Sequence, residues 1–258
     1  MTGNGAQPAP ELRLFDCYLR AGHSTRPPLA PALTPADVLA EMDRCGVDEA
    51  LVHSDATEIS SPVVTNPEVA AFCRADRRLH PVWSILPSQT GEMPLEDLLA
   101  GMRAHGVRAL AAYPDENRFL LNGVTFGELF EAMIERRIPL FLRGGGTNWA
   151  RITDVLREFP RLIVIACEYG CWGQDRYIRP LLERFEEFHI ETSTLELDGG
   201  IPGLVAKYGP RRILFGSVYH RRPMGGASLL LRNLDIAPHA KELIAHGNIE
   251  RLLAEARP

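Results

Sequence analysis

The sequence has no long apolar run, no excess of basic residues and no dense cluster of cysteine and histidine. No apolar stretch approaches the roughly 20 residues that a membrane-spanning helix needs. The 28 lysines and arginines are outnumbered by 33 acidic residues, which gives a formal net charge of -5. A chain of this charge gives no support to nucleic-acid or membrane-surface binding. We therefore expect neither nucleic acid nor a membrane as a partner.

The five cysteines do not have the pattern of a disulfide framework. Their number is odd and their spacings are irregular, whereas a small secreted domain pairs an even number of cysteines. Free cysteines usually behave as small apolar side chains. We interpret these five residues as structural thiols.

The length and composition fit one globular domain. The chain has 258 residues, of which 45% are hydrophobic and 24% are charged, and an α/β barrel has about 250 residues. Residues 1–10 are rich in glycine, alanine and proline and lack the basic-then-apolar pattern of a signal peptide. We expect a disordered leader at residues 1–10, a single domain at residues 11–258, and a cytoplasmic location.

Short apolar segments alternate with longer amphipathic segments along the chain. The short segments predict strands at residues 12–18, 50–54, 81–86, 109–113, 140–143, 162–167, 189–193 and 213–218. The longer segments predict helices at residues 34–45, 94–105, 126–136, 149–159, 177–185 and 201–208. Eight strands of continuous apolar character, with helices between them, predict a closed (β/α)8 barrel. No Gly-x-Gly-x-x-Gly motif follows the first strand, which argues against a dinucleotide-binding sheet.

Three segments carry a family resemblance. Residues 14–22 and 213–220 are apolar runs that end in polar residues, and residues 246–253 place a Gly-Asn pair before an apolar helix. Together they resemble the first strand, the last strand and the closing helix of the amidohydrolase superfamily, in its amidohydrolase-related (amidohydrolase 2) branch. The resemblance extends from about Leu12 to Leu253 and implies a single TIM barrel. In it, we expect Gly247 and Asn248 to end one helix and cap the next.

The resemblance also implies a metal site whose ligands are absent. In that family the first strand reads Asp-x-His-x-His and the last reads Phe-Gly-Ser-Asp-x-Pro. Tyr18 and Arg20 stand at the two histidine positions, Val218 stands at the aspartate position, and Arg143 stands where the fifth strand usually carries a histidine. Arginine and valine do not bind zinc. We therefore expect no catalytic metal and no other cofactor, with an atypical metal site as the alternative.

Chemistry in a barrel takes place at the C-terminal ends of its strands. The side chains predicted to lie there are Asp16, Tyr18, Arg20, His53, Asp55, Ser84, Tyr113, Arg143, Cys167, Glu168, Glu191, Thr192, Ser193, Ser217, Tyr219 and His220. Strict two-residue alternation places Asp16, Tyr18 and Arg20 on the inner face of the first strand and turns Cys17 outward.

Four of these residues are candidate catalytic residues: Glu168, His53, Tyr18 and His220. Glu168 is the preferred base, and the two histidines are candidate general acids or bases. Tyr18 either donates a hydrogen bond to a developing oxyanion or fills volume.

The surroundings of Glu168 allow two opposite pKa shifts. Desolvation by Tyr169 and Trp172 would raise its pKa, and pairing with Arg143 would lower it.

The candidate substrate-binding residues are Arg20, Arg143, Tyr113 and Ser193. Two guanidiniums at one barrel mouth need a counter-charge, supplied either by a bound carboxylate or phosphate or by an internal Glu168 or Glu191. The glycine-rich residues 143–148 either hold an anion through backbone amides or form a flexible loop.

Three functions follow. The first is a metal-independent hydrolase of C–N or C–O bonds, or a C–C lyase, that acts on a small anionic molecule. The second is a non-catalytic binding protein or a partner subunit of an intact amidohydrolase, and a homo-oligomer is also compatible with this sequence. The third is a metalloenzyme with an atypical site.

Overall fold

The computed structural model describes residues 12–22, 34–145, 148–170, 173–195 and 199–258. The predicted leader at residues 1–10 therefore lies outside the described residues. So do Gly146 and Thr147 of the glycine-rich segment, and Cys171 and Trp172 after the sixth strand.

One parallel sheet contains eight strands in sequential order within the described residues. They are β1 (Phe15–Ala21), β2 (Glu49–Ser54), β3 (Leu79–Ser84), β4 (Leu110–Ala112), β5 (Leu140–Arg143), β6 (Val164–Cys167), β7 (Phe188–Glu191) and β8 (Ile213–Leu214). The predicted β5 is confirmed to the residue, and the others differ at their ends. The largest differences are in β1, which begins and ends three residues later than predicted, and in β8, which ends four residues earlier than predicted.

The first and last strands close the sheet into a barrel. The backbone N–H of Cys17 donates to the carbonyl of Phe215 at 2.8 Å, and the N–H of Val218 donates to the carbonyl of Tyr18 at 2.8 Å. A third bond runs from the N–H of Arg20 to the carbonyl oxygen of Tyr219 at 2.6 Å. The predicted (β/α)8 barrel is therefore confirmed.

Helices pack around the outside of this barrel. They are α1 (Pro35–Cys45), α2 (Pro62–Cys73), α3 (Leu95–His105), α4 (Gly123–Arg136), α5 (Asn148–Glu158), α6 (Asp175–Arg184), α7 (Gly200–Tyr208), α8 (Met224–Asn233), α9 (Pro238–Glu242) and α10 (Asn248–Glu255). None of these described helices is long and apolar enough to cross a bilayer. The sequence analysis did not predict α2, α8 and α9 as helices, and α2 has almost no amphipathic period.

Helix α1 shows how local sequence sets an element. The Thr34 hydroxyl accepts a hydrogen bond from the N–H of Asp37, whose carboxylate accepts in return from the N–H of Thr34. Pro35 occupies the first turn, where no N–H is needed. Gly46 ends the helix in a left-handed conformation with φ of 65°, which glycine adopts without strain.

A β-bulge in β1 changes which side chains face the barrel interior. Between Asp16 and Leu19, the strand has one residue more than the facing β2. As a result Cys17 and Tyr18 both belong to the inner core, while the Asp16 carboxylate accepts hydrogen bonds from the N–H and hydroxyl of Ser217 on the β8 side. The predicted outward position of Cys17 and inward position of Asp16 are therefore wrong, because a bulge interrupts the two-residue period.

The closing helix is present, but its Gly-Asn pair has a different role. Asn248 has helical backbone angles, so it is not a helix cap. Its side-chain amide instead donates to the carbonyl oxygens of Pro210 and Ile213, both at 2.8 Å. Asn248 thus fixes α10 to the start of β8.

Candidate functional site

Seven charged side chains converge at the C-terminal ends of the strands. This ion-pair network consists of Arg20, Arg143 and Arg221 with Asp55, Glu58, Glu116 and Glu168. The side chains come from the ends of β1, β5 and β6 and from the segments after β2, β4 and β8. The network fills the mouth of the barrel with three positive and four negative groups.

Arg20 lies at the centre of the network and is fully buried. Its Nε donates to Asp55, and its two terminal nitrogens lie 3.3 Å from Glu58 and 3.4 Å from Glu168. A buried guanidinium is tolerated only with such partners, because an unpaired charge in the interior is costly. The three carboxylates therefore hold Arg20 in one position.

Tyr18 and Glu168 form a direct hydrogen bond beneath this arginine. The phenol of Tyr18 donates to Glu168 Oε1 at 2.8 Å and accepts from the Arg20 guanidinium at 2.9 Å. Burial raises the pKa of Tyr18 well above its ordinary value, so the phenol keeps its proton. The sequence predicted that Tyr18, Arg20 and Glu168 would meet, and the structure confirms it.

The Glu168 carboxylate is ionised at neutral pH. Burial acts to raise its pKa, but Arg20, Arg221 and Arg143 outweigh that effect and hold the pKa below its usual value. Of the two opposite expectations for this residue, the structure supports the lowered pKa. The side chain is 15% exposed, so the carboxylate still borders the mouth.

Two residues next to this hydrogen bond have left-handed backbone. Glu168 has φ of 46° and Val218 has φ of 51°, a conformation that is unfavourable for a β-branched residue. The N–H of Glu168 donates to Glu191 Oε1 at 3.0 Å, which fixes this turn from below. Strained backbone of this kind is often found at functional sites, and both of these residues lie at the barrel mouth.

Arg143 joins the network from the side. It donates to Glu58 and, at 2.6 Å, to Glu116 of the β4–α4 loop. Its guanidinium also lies 5.9 Å from the ring centre of Tyr113, whose hydroxyl accepts from Arg20 at 3.2 Å. With a side chain 20% exposed, Arg143 is the most accessible arginine of the network.

The candidate histidines have different surroundings. His53 is buried, and its ring packs on Tyr18 at 4.4 Å and on Phe141 at 4.8 Å. Burial, with a smaller effect of Arg20, lowers its pKa to about 3, so His53 is neutral. His220 is also buried, with Nε2 3.3 Å from Asp55. His53 therefore packs under the site, and His220 contacts its edge.

Ser193 lies apart from the ion-pair network. Its hydroxyl donates to Glu191 Oε1 at 2.7 Å, and it lines a cavity of about 200 Å³ next to α7 and α8. Burial raises the pKa of Glu191 to about 7, although its hydrogen bonds favour the ionised form. Ser193 and Glu191 thus support the site from outside.

The family is decided by a match over most of the chain. A family model described as Amidohydrolase matches residues 21–254. This chain belongs to the amidohydrolase family. No curated protein matches it.

Solved structures share the amidohydrolase barrel at low sequence identity. An uncharacterized TIM-barrel protein from Bordetella bronchiseptica is 23% identical, with a TM-score of 0.74, covering 95% of this chain and 99% of that one. A 2,6-dihydroxybenzoate decarboxylase from Rhizobium is 16% identical, with a TM-score of 0.72, covering 94% and 98%. A dihydroxybenzoic acid decarboxylase from Polaromonas sp. JS666, with bound manganese and an inhibitor, is 14% identical, with a TM-score of 0.73, covering 95% and 98%. At these identities the likeness establishes the fold.

The mouth of this amidohydrolase does not fit a resident metal ion. Arg20 and Arg143 bring guanidiniums into it, and arginine neither loses its proton nor ligates metals. The carboxylates of Asp55, Glu58 and Glu168 are already paired with arginines. Among the described residues, no group of three or more His, Cys, Asp or Glu side chains has a metal-binding arrangement.

Sequence analysis missed three members of the network: Glu58, Glu116 and Arg221. Glu58 lies four residues after the end of β2, Glu116 lies four residues after β4, and Arg221 follows His220. A search extended a few residues beyond each strand, for charges opposite to those already found, would have selected them. Arg221 matters most, because it contacts Asp55 at 2.5 Å, Glu58 at 2.8 Å and Glu168 at 3.2 Å.

Close packing explains one glycine of the glycine-rich segment. A Cβ at Gly144 would lie 2.4 Å from the Tyr169 Cβ and 2.9 Å from the Trp149 ring. Gly144 is therefore needed for the approach of β5 to the turn after β6. The two expectations for the segment as a whole, anion site or flexible loop, stay untested.

Proposed function

We propose that this protein is a metal-independent enzyme of the amidohydrolase family that acts on a small anionic molecule at the barrel mouth. The reaction is hydrolysis of a C–N or C–O bond, or cleavage of a C–C bond. The observation that carries the proposal is the 2.8 Å hydrogen bond between the Tyr18 phenol and the ionised, partly exposed Glu168 carboxylate. A protonated donor and an ionised acceptor side by side are the parts that general acid–base catalysis needs.

The two side chains have complementary roles. Glu168 takes a proton from water or from the substrate, and its low pKa keeps it in the accepting state at neutral pH. Tyr18 keeps its proton, and once Glu168 has taken up a proton the phenol turns its single O–H from Glu168 to negative charge that develops on the substrate. Arg20 donates to the phenol oxygen at 2.9 Å and thereby fixes the position of that oxygen.

The choice of substrate class rests on the arginines. Arg143 is the most exposed guanidinium of the network, and guanidinium binds carboxylates or phosphates through two parallel hydrogen bonds. Two structures with the same fold are decarboxylases of dihydroxybenzoates. The activity in the names of these two proteins supports C–C bond cleavage as an alternative to hydrolysis.

Substitution of Glu168 and Tyr18 tests the proposal. Turnover is first sought with small hydroxybenzoates, amides and lactones. We expect Glu168→Gln and Tyr18→Phe each to lower kcat/KM on the active compound by about 10²–10⁴-fold, with little change in KM. Glu183→Gln removes an exposed carboxylate paired with Lys207 and is the matched control. Full activity of Glu168→Gln would contradict the proposal.

A second function, non-catalytic binding, is favoured by the ion pairing itself. The arginines of the mouth already have carboxylate partners within the chain, and Arg20 is inaccessible. A protein of this kind would bind its ligand without consuming it, alone or as the partner subunit of an intact amidohydrolase. Ligand binding by calorimetry with unchanged ligand after long incubation, monitored by NMR, would support this function over catalysis.

A further inference from the structure

Two neighbouring carboxylates of the β4–α4 loop bind two arginines at the side of the mouth. Glu116 accepts from Arg143 at 2.6 Å, and Asp115 accepts from both terminal nitrogens of Arg151 at 2.8 and 2.7 Å. Asn148 orients Arg151 by accepting from it at 2.7 Å. We call Asp115 and Glu116 the acidic strap.

Glu116 of the strap lines a small cleft. The cleft is lined by Tyr113, Glu116, Arg143, Asn148 and Arg151 among others, and its volume is about 10 Å³. This is room for about one water molecule. Moving the strap carboxylates away would leave two guanidiniums and an amide facing the same space.

The Asp115–Arg151 pair of the strap contributes little to stability. The side chains of Asp115 and Arg151 are 57% and 33% exposed, and an exposed ion pair adds little to stability. Glu116 pairs with Arg143 alone in the described residues, whereas Glu58 is shared by three arginines. Releasing the strap therefore leaves the buried part of the network intact.

The loop that carries the strap is a compact turn. Within it, the backbone N–H of Asn117 donates to the carbonyl of Tyr113 at 2.9 Å, and the N–H of Phe119 donates to the carbonyl of Pro114 at 3.1 Å. The side chain of Asn117 also donates to the carbonyl of Thr57 at 3.1 Å. These bonds hold the backbone of the turn, so displacement of the strap requires only that its two side chains rotate away from the arginines.

We propose that Arg143 and Arg151 form a subsite for a short dicarboxylate, and that the acidic strap occupies this subsite as an internal competitor until the ligand displaces it. The subsite names the substrate class of the mouth, and this proposal therefore rests on the proposed function. One ligand carboxylate replaces Glu116 on Arg143, next to the network, and the other replaces Asp115 on Arg151. A tethered competitor acts at a high effective concentration, so it lowers the apparent affinity of a free ligand.

Calorimetric titration with succinate tests the proposal. We expect the double variant Asp115→Asn/Glu116→Gln to bind succinate about tenfold more tightly than the wild type. Adding Arg151→Gln to the double variant should remove the gain. Acetate, which has a single carboxylate, should show a much smaller gain than succinate.

The control removes two negative charges from the far end of the barrel. Glu135→Gln/Glu183→Gln changes carboxylates that are 74% and 52% exposed, and it should bind succinate like the wild type. An equal gain in this control, or wild-type affinity in the strap variant, would overturn the proposal. Thermal melts test whether the variants are folded. If the double variant does not fold, Asp115→Asn and Glu116→Gln are each tested alone.

The readout is independent of turnover. A gain in succinate affinity without any detectable reaction would support the subsite and count against the enzyme. Turnover that depends on Glu168, with no gain in the strap variant, would retain the enzyme and reject the subsite.

Discussion

Arg20 and Arg143 are both arginines of one network, but they are not equivalent. Arg20 is fully buried and contacts three carboxylates, and Asp55 beside it is also buried. Arg143 is partly exposed, and its partner Glu116 lies near solvent. Removing a charge costs most where the groups left behind cannot reach water. The two residues should therefore differ in what they contribute to stability and to binding.

We expect Arg20→Met to lower the free energy of unfolding by about 3–5 kcal/mol, because buried carboxylates lose their partner. Arg143→Met should cost only about 1–2 kcal/mol, since Glu58 keeps Arg20 and Arg221. Arg143→Met should nevertheless weaken anion binding more than tenfold. Urea unfolding and ligand titration of both variants measure the two effects. A larger loss of stability in Arg143→Met than in Arg20→Met would contradict the expectation that Arg20 contributes mainly to stability and Arg143 mainly to binding.

The buried carboxyl of Glu191 should make the free energy of unfolding depend on pH, and a single substitution can measure this contribution. Burial raises the pKa of its carboxyl to about 7 from an ordinary value of 4.5. The folded state then binds more protons than the unfolded state between these values, so the free energy of unfolding falls as pH rises from about 4.5 to 7. The contribution is on the order of 3 kcal/mol.

We expect Glu191→Gln to lose this contribution to the pH dependence. The wild type should lose more stability than the variant between pH 5 and pH 8, measured by urea unfolding at both values. Other titrating groups are common to both proteins and cancel in the comparison. Parallel pH profiles for the two proteins would show that the folded-state pKa of Glu191 is not raised.

At the scale of elements, β1 shows which features the sequence could predict and which it could not. Apolar and amphipathic segments predicted the barrel, because a strand or helix leaves a period in the sequence. The bulge in β1 leaves no such period, so the direction of Asp16 and Cys17 was wrong. Loop residues such as Glu58 and Arg221 were missed for a related reason: no periodicity sets where a loop side chain points.

The segment after β8 depends on a glycine at one position. A Cβ at Gly216 would lie 2.5 Å from Glu191 Oε2 and 3.2 Å from the Cβ of Tyr18. We expect Gly216→Ala to lower the free energy of unfolding by about 1–3 kcal/mol through overpacking, and to disturb Tyr18. Gly226→Ala in α8, where a Cβ would meet no atom within 4 Å, should be neutral or stabilising. Equal effects of the two substitutions in thermal melts would contradict this packing argument.

At the scale of the whole molecule, the amidohydrolase barrel contains arginine–carboxylate pairs at its mouth. The fold holds these seven side chains in place, with three guanidiniums paired to four carboxylates. The strength of this pairing depends on salt only weakly where it is buried, as at Arg20, and more strongly at the exposed strap. Added salt should therefore weaken the ion pairs of the strap more than the buried ion pairs of Arg20.

We expect the purified protein to contain no stoichiometric transition metal, because the carboxylates of the mouth are already paired with arginines. Elemental analysis should give far less than one zinc, manganese or iron per chain. Dialysis against a chelator should leave the melting temperature unchanged. About one metal ion per chain that is retained through dialysis would contradict this expectation.

The closure of the barrel has a consequence for how the chain folds. The contact between Asp16 and Ser217 joins residues 201 positions apart, and the backbone bonds beside it span similar distances. Contacts of such long sequence separation form slowly, because a large loop must be ordered first. During synthesis β1 has no partner on one edge until β8 has left the ribosome, so the nascent barrel exposes an open strand that is prone to aggregation.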